Sequence, residues 1–318
     1  MRWCWLDPTS TNPKYVEKPK AVALARKVSE EVLESFRTAL KIAELYKLSS
    51  VKEAEALFEI GFEGGYVEPG ASGALTRGKI DVLPTGRNFY AVDPTSIPTK
   101  AAWEIGVKTT KMMLEKILKE HGKYPESIGQ ILWSIDAYKA DGEQLAEILY
   151  LIGAKPVWDS SGRVVGVELI PLEELGRPRI DVVVRISGIV RDTLPNYIHL
   201  IDEAVEKAVI ADEPVDMNYV KKHYLDNIEK LAKLGMGFEE ARELAKARVW
   251  AEPPGAYGAG VNLAVFASAW KNDEDLAKTW IHWSSYAYTK RFYGKRAPDA
   301  MALQLRHVEA VSRHHISD

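Results

Sequence analysis

The sequence predicts an α/β protein: an open, mostly parallel sheet flanked by helices, with an N-terminal helical region and long Gly/Pro-rich loops. Three observations predict it. Ile131–Asp136 (ILWSID) and Asp181–Asp192 (DVVVRISGIVRD) each read as a buried strand running straight into a polar loop, with a helix soon after. From about residue 122 onward, strand-like and helix-like stretches alternate, as a parallel sheet with crossover helices requires. Before that point the apolar residues fall at helical spacing and then give way to a long irregular segment.

Residues 19–48 place Val22, Leu24, Val28, Val32, Leu33, Phe36, Leu40, Ile42 and Leu45 at helical intervals. Ser50, with Glu53 three residues on, has the form of a capping box and predicts a second helix there. Residues 61–98 form an irregular arm rich in Gly and Pro; stretches this long without regular structure are commonly functional or interfacial. Pro98-Thr99 opens a helix to about His121, with Trp103, Met112, Met113, Leu114 and Leu118 as its apolar material. A soft boundary near residue 122 separates this region, 1–121, from an α/β domain over 122–318 with a helical, aromatic-rich C-terminal part. In that domain the pattern predicts a strand over 128–135 and a helix over 142–152 that stops at Gly153. Strands over 154–158 and 163–170 flank the turn Asp159–Gly162 (DSSG). A strand over 181–186 precedes a helix entered at Pro195, a favoured first-turn position. Residues 217–248 read as two helices parted near Gly235–Gly237, and Glu252–Gly260 (EPPGAYGAG) is a second Gly/Pro loop.

With 46% hydrophobic and 27% charged residues the composition is that of an ordinary folded protein, and a net charge of −3 gives no field favouring nucleic acid or an anionic membrane. The single cysteine, Cys4, excludes an internal disulfide and fits a reducing compartment. The start MRWCWLD lacks the basic character of a signal peptide, and no run approaches the roughly 20 apolar residues of a membrane span. A cytoplasmic protein is expected.

Ligands of open α/β sheets sit at the carboxyl ends of the strands. That rule singles out Asp136 after the first strand, and Ser187, Arg191 and Asp192 after the second. Asp141 reads as a helix N-cap and Glu143 as a first-turn acid, roles that need no chemistry. Leu83–Asn88 (LPTGRN) is a further polar stretch, in which Arg87 offers a planar fork for a carboxylate beside Asn88. Arg177, Arg179 and Arg185 add positive charge near the second strand. Gly255, Gly258 and Gly260 run in the reverse order of a dinucleotide loop and follow prolines, which leaves a glycine turn and keeps Tyr257 and Asn262 as possible ligand contacts.

Gly73–Lys79 (GALTRGK) matches part of a phosphate-binding loop, but Ile80 stands where Ser or Thr must reach magnesium, and no strand precedes it. The chain therefore carries no nucleotide-hydrolysing machinery of its own. None of the seven histidines falls in a recognised metal-binding spacing; His282, between Trp280 and Trp283, reads as packed, and His314-His315 as solvated.

Taken together, these stretches resemble the large, tetrapyrrole-binding subunit of the cobaltochelatase and magnesium chelatase family. The resemblance runs nearly the length of the chain. It is carried by Gly65–Gly70 (GYVEPG), Leu83–Tyr90 (LPTGRNFY), Asp93–Gly106 (DPTSIPTKAAWEIG) and Leu132–Glu143 (LWSIDAYKADGE). It continues through Gly153–Asp159 (GAKPVWD), Gly162–Leu175 (GRVVGVELIPLEEL), Gly176–Asp192 (GRPRIDVVVRISGIVRD), Pro254–Asn262 (PGAYGAGVN) and Trp283–Tyr288 (WSSYAY). Family subunits are several times longer, and the family's upstream His-Gly-Thr-His-Gly segment is absent here, so the expectation is an excised middle-to-late portion, with a stand-alone small homologue as the alternative. Ser134-Ile135 replaces the usual Gly-Thr, Ala137 a common Asn and Val190 a common Phe; these departures leave the metal and the macrocycle open.

The resemblance implies insertion of a divalent metal, cobalt or magnesium, into a tetrapyrrole, either a corrin precursor on the way to cobalamin or protoporphyrin on the way to chlorophyll. ATP is bound by AAA+ partner subunits and not by this chain. The chemistry needs a base for two pyrrole protons, oxygen ligands for a cation shedding water, and Arg and amide partners for peripheral carboxylates. On this reading Asp136 and Asp192 serve as base or transient metal ligand, Arg87 and Arg191 hold carboxylates, and Asn88, Ser187, Tyr257 and Asn262 are polar contacts. Metal ligands as such are not assigned. The alternatives are a tetrapyrrole-binding or partner-docking module without chemistry of its own, and an unrelated α/β enzyme acting on a sugar or nucleotide.

Overall fold

A computed structural model of the chain describes residues 30–71, 73, 75, 79–89 and 92–314. Cys4, Val22, Leu24, Val28, His315 and much of the Gly73–Lys79 stretch lie outside the described residues. The chain divides into two compact units, Met1–Ala91 and Val92–Asp318.

The first unit is built on helix α1, Glu30–Glu55, which continues into a wider π-helical turn over Ala56–Gly61. The helix break expected at Ser50 does not occur. Ser49 is the buried residue on that stretch: its hydroxyl donates to the Leu45 carbonyl at 2.9 Å and accepts from the Thr85 backbone N–H at 2.9 Å. The Thr85 hydroxyl bonds the Glu53 carboxylate, so Glu53 fastens a loop where a capping box was expected. Gly86, at φ +82°, presses against the helix so closely that a Cβ would lie 2.4 Å from the Lys52 carbonyl carbon. Two short strands, β1 (Pro69–Gly70) and β2 (Asn88–Phe89), pair in parallel.

The second unit opens with Asp93, whose side chain accepts from Thr95 N–H and hydroxyl, and with the Thr99 hydroxyl accepting from Ala102 N–H to cap helix α2, Lys100–His121. Next come strand β3 (Ser127–Leu132), helix α3 (Ile135–Ala140) and helix α4 (Glu143–Ile152). Every residue of α4 is buried. Helix α2 packs on α4 through Gly106, where a Cβ would stand 2.6 Å from both the Ala146 methyl and the Glu143 carbonyl. Gly153 stops α4 in the left-handed conformation, as expected. Strands β4 (Ala154–Trp158) and β5 (Val164–Leu169) form a separate antiparallel hairpin around the DSSG turn, and a helical turn α5 (Leu172–Leu175) follows.

Strand β6 (Asp181–Ile186) leads through helix α6 (Gly188–Thr193) into α7 (Pro195–Ile210). Helices α8 (Tyr219–Lys233) and α9 (Phe238–Lys246) precede strand β7 (Val249–Ala251). The chain then forms α10 (Val261–Phe266), α11 (Asp273–Ser284), β8 (Tyr286–Tyr288), β9 (Tyr293–Arg296), α12 (Pro298–Leu305) and β10 (Ala310–Ser312). The six-stranded sheet runs β10-β3-β6-β7-β8-β9. The first four strands are parallel and the last two antiparallel to their neighbours. The unbroken apolar run Val182–Val184 is what a strand covered on both faces requires; all three are in the core with Ile128, Leu132, Leu145, Ile148, Leu149, Tyr197 and Trp250.

The amino end of this sheet holds a buried polar cluster. Asp181 pairs with Arg248 Nε at 2.6 Å and with His223 Nδ1 at 2.9 Å, and His223 Nε2 lies 3.1 Å from Glu126. His307 stacks on His223 with ring centroids 4.0 Å apart. Burial, then the neighbouring His223, lowers the His307 pKa to about 4. A histidine depressed in this way stays neutral in the fold but takes a proton in the unfolded chain between about pH 6.5 and 4, so its contribution is lost as pH falls through that window. His307→Gln is therefore expected to lose about 2 kcal/mol less stability than the unsubstituted chain between pH 7 and pH 4.5. Urea midpoints at the two pH values check this; equal losses would contradict it.

Candidate functional site

Because β3, β6, β7 and β10 are parallel, their carboxyl ends share one edge of the sheet. The two loops singled out in the sequence emerge there and are tied together. Ser187 N–H donates to the Leu132 carbonyl at 3.2 Å, and the Tyr138 hydroxyl lies 3.3 Å from the Thr193 hydroxyl. A third loop, after β7, completes the group.

Arg191 organises it. The residue is 1% exposed, and its Nη1 donates to the carbonyls of Glu252, Pro253 and Ala256 at 3.3, 2.8 and 3.1 Å. Its Nε and Nη2 form a bidentate pair with Asp192 at 2.6 and 2.8 Å, and its guanidinium lies 5.4 Å from the Tyr257 ring centroid. Asp192 also accepts from the Tyr257 hydroxyl at 2.7 Å and the Tyr293 hydroxyl at 3.4 Å, and its side chain remains 32% exposed. The Arg191 guanidinium first, with the tyrosine hydroxyls, holds the Asp192 carboxyl down at about 2 against a smaller effect of burial. Ser187 caps α6, its hydroxyl accepting from Val190 N–H at 3.3 Å.

A second pair lies beneath. Arg185 donates to the buried Glu252 carboxylate at 2.6 Å and to the Ser284 hydroxyl at 3.1 Å. The Tyr288 hydroxyl donates to the Glu252 carbonyl at 2.7 Å, and burial pushes its pKa up to about 12. Gly188 lets the junction close: a Cβ there would lie 2.6 Å from Glu252 Oε1 and from the Tyr257 ring, so one of those side chains would have to shift.

Asp136 occupies a different setting. It is 1% exposed and points inward. Its Oδ1 accepts from Gln144 N–H at 2.7 Å, and its Oδ2 from Leu145 N–H at 3.3 Å and from the Tyr197 hydroxyl at 3.1 Å. It thus supplies the acceptors for the start of α4, a role expected of Asp141. Asp141 instead ends α3 in the left-handed conformation at φ 53°, and Gly142 stands at the α4 N-cap without a side chain to offer. Burial pushes the Asp136 pKa up to about 6, opposed by those hydrogen bonds. Next to it runs a buried chain: Gln144 Nε2 donates to Gln130 at 3.0 Å, Gln130 to Glu147 at 2.8 Å, and Glu147 lies 2.9 Å from His314 Nε2. His314, read as solvated, is thus paired to a buried acid. His282, read as packed, is exposed, 3.3 Å from Arg296.

Arg87 and Asn88 belong to the first unit. There Arg87 donates to the carbonyls of Pro84, Asp81 and Val82 at 3.0, 3.3 and 3.3 Å and lies under Gly70, so the fork expected to hold a carboxylate holds its own loop. Asn88 and Asn262 are exposed.

Residues 9–318 match the family model described as CobN/Magnesium Chelatase. The chain belongs to that family. It is 50% identical over 258 residues to an uncharacterized protein of Methanocaldococcus jannaschii, covering 81% of this chain and 20% of that protein. It is 41% identical over 255 residues to the aerobic cobaltochelatase subunit CobN of a Sinorhizobium species, covering 80% of this chain and 20% of that one. Its fold matches the catalytic subunit of cobaltochelatase from Mycobacterium tuberculosis with a TM-score of 0.80 at 35% identity, over 92% of this chain and 24% of that one. The chain spans about a fifth of the length of the curated relatives it matches.

In this CobN/magnesium chelatase segment, both arginines of this group, Arg185 and Arg191, are satisfied by the protein itself. The arrangement therefore presents a fixed anion, Asp192, with two exposed phenols, Tyr257 and Tyr293, beside it. A carboxylate near 2 is a poor proton acceptor at neutral pH but a good partner for a cation. Among the described residues no group of three His, Cys, Asp or Glu side chains converges to hold a metal, and no helix is long and apolar enough to cross a membrane. The residues that sequence reasoning passed over are Glu252, Tyr288 and Tyr293. Glu252 had a signal, since it directly follows a strand at the carboxyl edge, but that strand is three residues long and lies behind two helices.

Proposed function

We propose that this chain is the part of an ATP-dependent chelatase large subunit that receives a tetrapyrrole, for insertion of cobalt or magnesium driven by AAA+ partner subunits. The observation that carries the reading is the strand-end group of Arg191, Asp192, Tyr257 and Tyr293, held in a chain whose family likeness runs through residues 9–318. Asp192 acts as the fixed anion that meets the incoming cation, with Tyr257, Tyr293, Ser187 and Asn262 as polar contacts. Arg191 and Asp136 are positioning residues, the first for the 252–256 loop and Asp192, the second for the start of α4.

A second reading, a tetrapyrrole-binding module without chemistry of its own, is favoured by the saturation of Arg185 and Arg191 inside ion pairs. Binding of a porphyrin or corrinoid to the chain tests what the two readings share. Metal insertion on adding AAA+ partners and ATP separates them.

A further inference from the structure

The strand order reverses at β3. From β3 the chain steps outward to β6 and then β7, and the last strand, β10, returns to the other edge of β3. In open α/β sheets the crevice for a ligand lies outside the carboxyl ends at such a reversal. Here it falls between β3 and β10, one strand away from the Asp192 group.

Two side chains stand at that point. Trp133 is the first residue past β3 and is 49% exposed, a large apolar plane left open to water at the end of a buried strand. Arg313 is the first residue past β10, and its guanidinium lies 5.0 Å from the Trp133 ring centroid. Arg313 is exposed and makes no hydrogen bond or ion pair among the described residues. This contrasts with Arg185 and Arg191, whose donors are occupied by carboxylates and carbonyls. Behind the pair, the Gln144–Gln130–Glu147–His314 chain joins β3, α4 and the segment after β10, so the two strand ends are held in register.

We propose that Trp133 and Arg313 form a stacking ledge for a planar, conjugated macrocycle carrying peripheral carboxylates. The indole and guanidinium planes offer apolar and cation–π contact to the face of the guest, and the unsatisfied N–H groups of Arg313 bind a carboxylate at its rim. The inference rests on the tetrapyrrole reading above and gives it a second contact point, at the sheet's reversal.

The test is a Soret-band titration of the 318-residue chain with deuteroporphyrin, which has two propionates, and with its dimethyl ester. Trp133→Ala is expected to weaken both guests about tenfold and Trp133→Phe about two- to threefold, as loss of one stacking plane implies. Arg313→Ala is expected to weaken the diacid about tenfold, through loss of both the carboxylate and the cation–π contact, and the ester only about twofold, through loss of the cation–π contact alone. Melting temperatures equal to that of the unsubstituted chain show that each variant is folded. If the chain binds the diacid and none of the three variants shifts its affinity, the ledge is wrong and the tetrapyrrole reading stands. If the unsubstituted chain binds neither guest, the ledge is wrong, and the tetrapyrrole reading falls with it when a corrinoid also fails to bind.

Discussion

Asp181→Asn is expected to lower the unfolding free energy by about 3–5 kcal/mol. Asp181 opens β6 at 2% exposure, faces Arg248 and His223, and also accepts from its neighbour's backbone, Val182 N–H. Burial alone would raise its pKa, but Arg248 and His223 overcome that and hold it below the usual carboxylate value. Arg248 is 1% exposed; its Nη1 is satisfied by the Ala245 and Ala247 carbonyls, and its Nη2 has no partner. Removing the Asp181 charge therefore strands a buried cation, which costs far more than the pair contributes when intact. Because the carboxyl is depressed, the stabilisation is present above about pH 4 and is lost as pH falls through the lower folded value. Urea unfolding at pH 7 measures the cost. The double variant Asp181→Leu/Arg248→Met is expected to recover most of it; a double variant as unstable as Asp181→Asn would show that shape, not charge, sets the cost.

Asp192→Asn in a complete large subunit is expected to reduce metal insertion by one to two orders of magnitude, the loss that follows when a fixed charge is withdrawn from a polar site. An amide keeps the size but accepts through one oxygen, and it cannot balance Arg191. The folding cost is smaller, about 1–2 kcal/mol, because a third of the side chain faces water. Asp136→Asn is the informative contrast. Its oxygens are occupied by α4 backbone N–H groups and Tyr197, so it is expected to lower stability and leave the insertion rate per folded molecule within about threefold. Insertion assays normalised to the folded fraction, read by near-ultraviolet dichroism, distinguish the two. No loss per folded molecule in Asp192→Asn would mean that Asp192 acts only through folding, and an equal loss per folded molecule in both variants would contradict the positioning role given to Asp136.

The parallel sheet was legible because its central strand carries an uninterrupted apolar run, Val182–Val184, and helix α4, between the first two parallel strands, stops at Gly153, both local signals. Of the candidate site, the strand-end loops were legible in the sequence, and the structure places Ser187, Arg191, Asp192 and Tyr257 in one group. What escaped depended on partners far apart in the chain. Arg191 reads as a partner for a guest's carboxylate or for Asp192 beside it, and the carbonyls some 60 residues on that also occupy it leave no local sign, while Asp136 reads as a loop acid until α4 folds back over it. His314 lies 167 residues from the buried Glu147 it pairs with. No spacing rule reports such contacts, since burial is decided only when the layers assemble. The break expected at Ser50 and not found is the opposite case: the local capping pattern is present, but Ser49 and Glu53 bind Thr85, which lies 36 and 32 residues away.

The most direct measurement is an absorbance titration of the 318-residue chain with a porphyrin and with a corrinoid at neutral pH. A tetrapyrrole-receiving segment gives a saturable shift of the guest's main band, with one guest per chain and micromolar affinity. Flat titrations with both guests, in a chain that melts cooperatively, would contradict the assignment of the strand-end group to a chelatase.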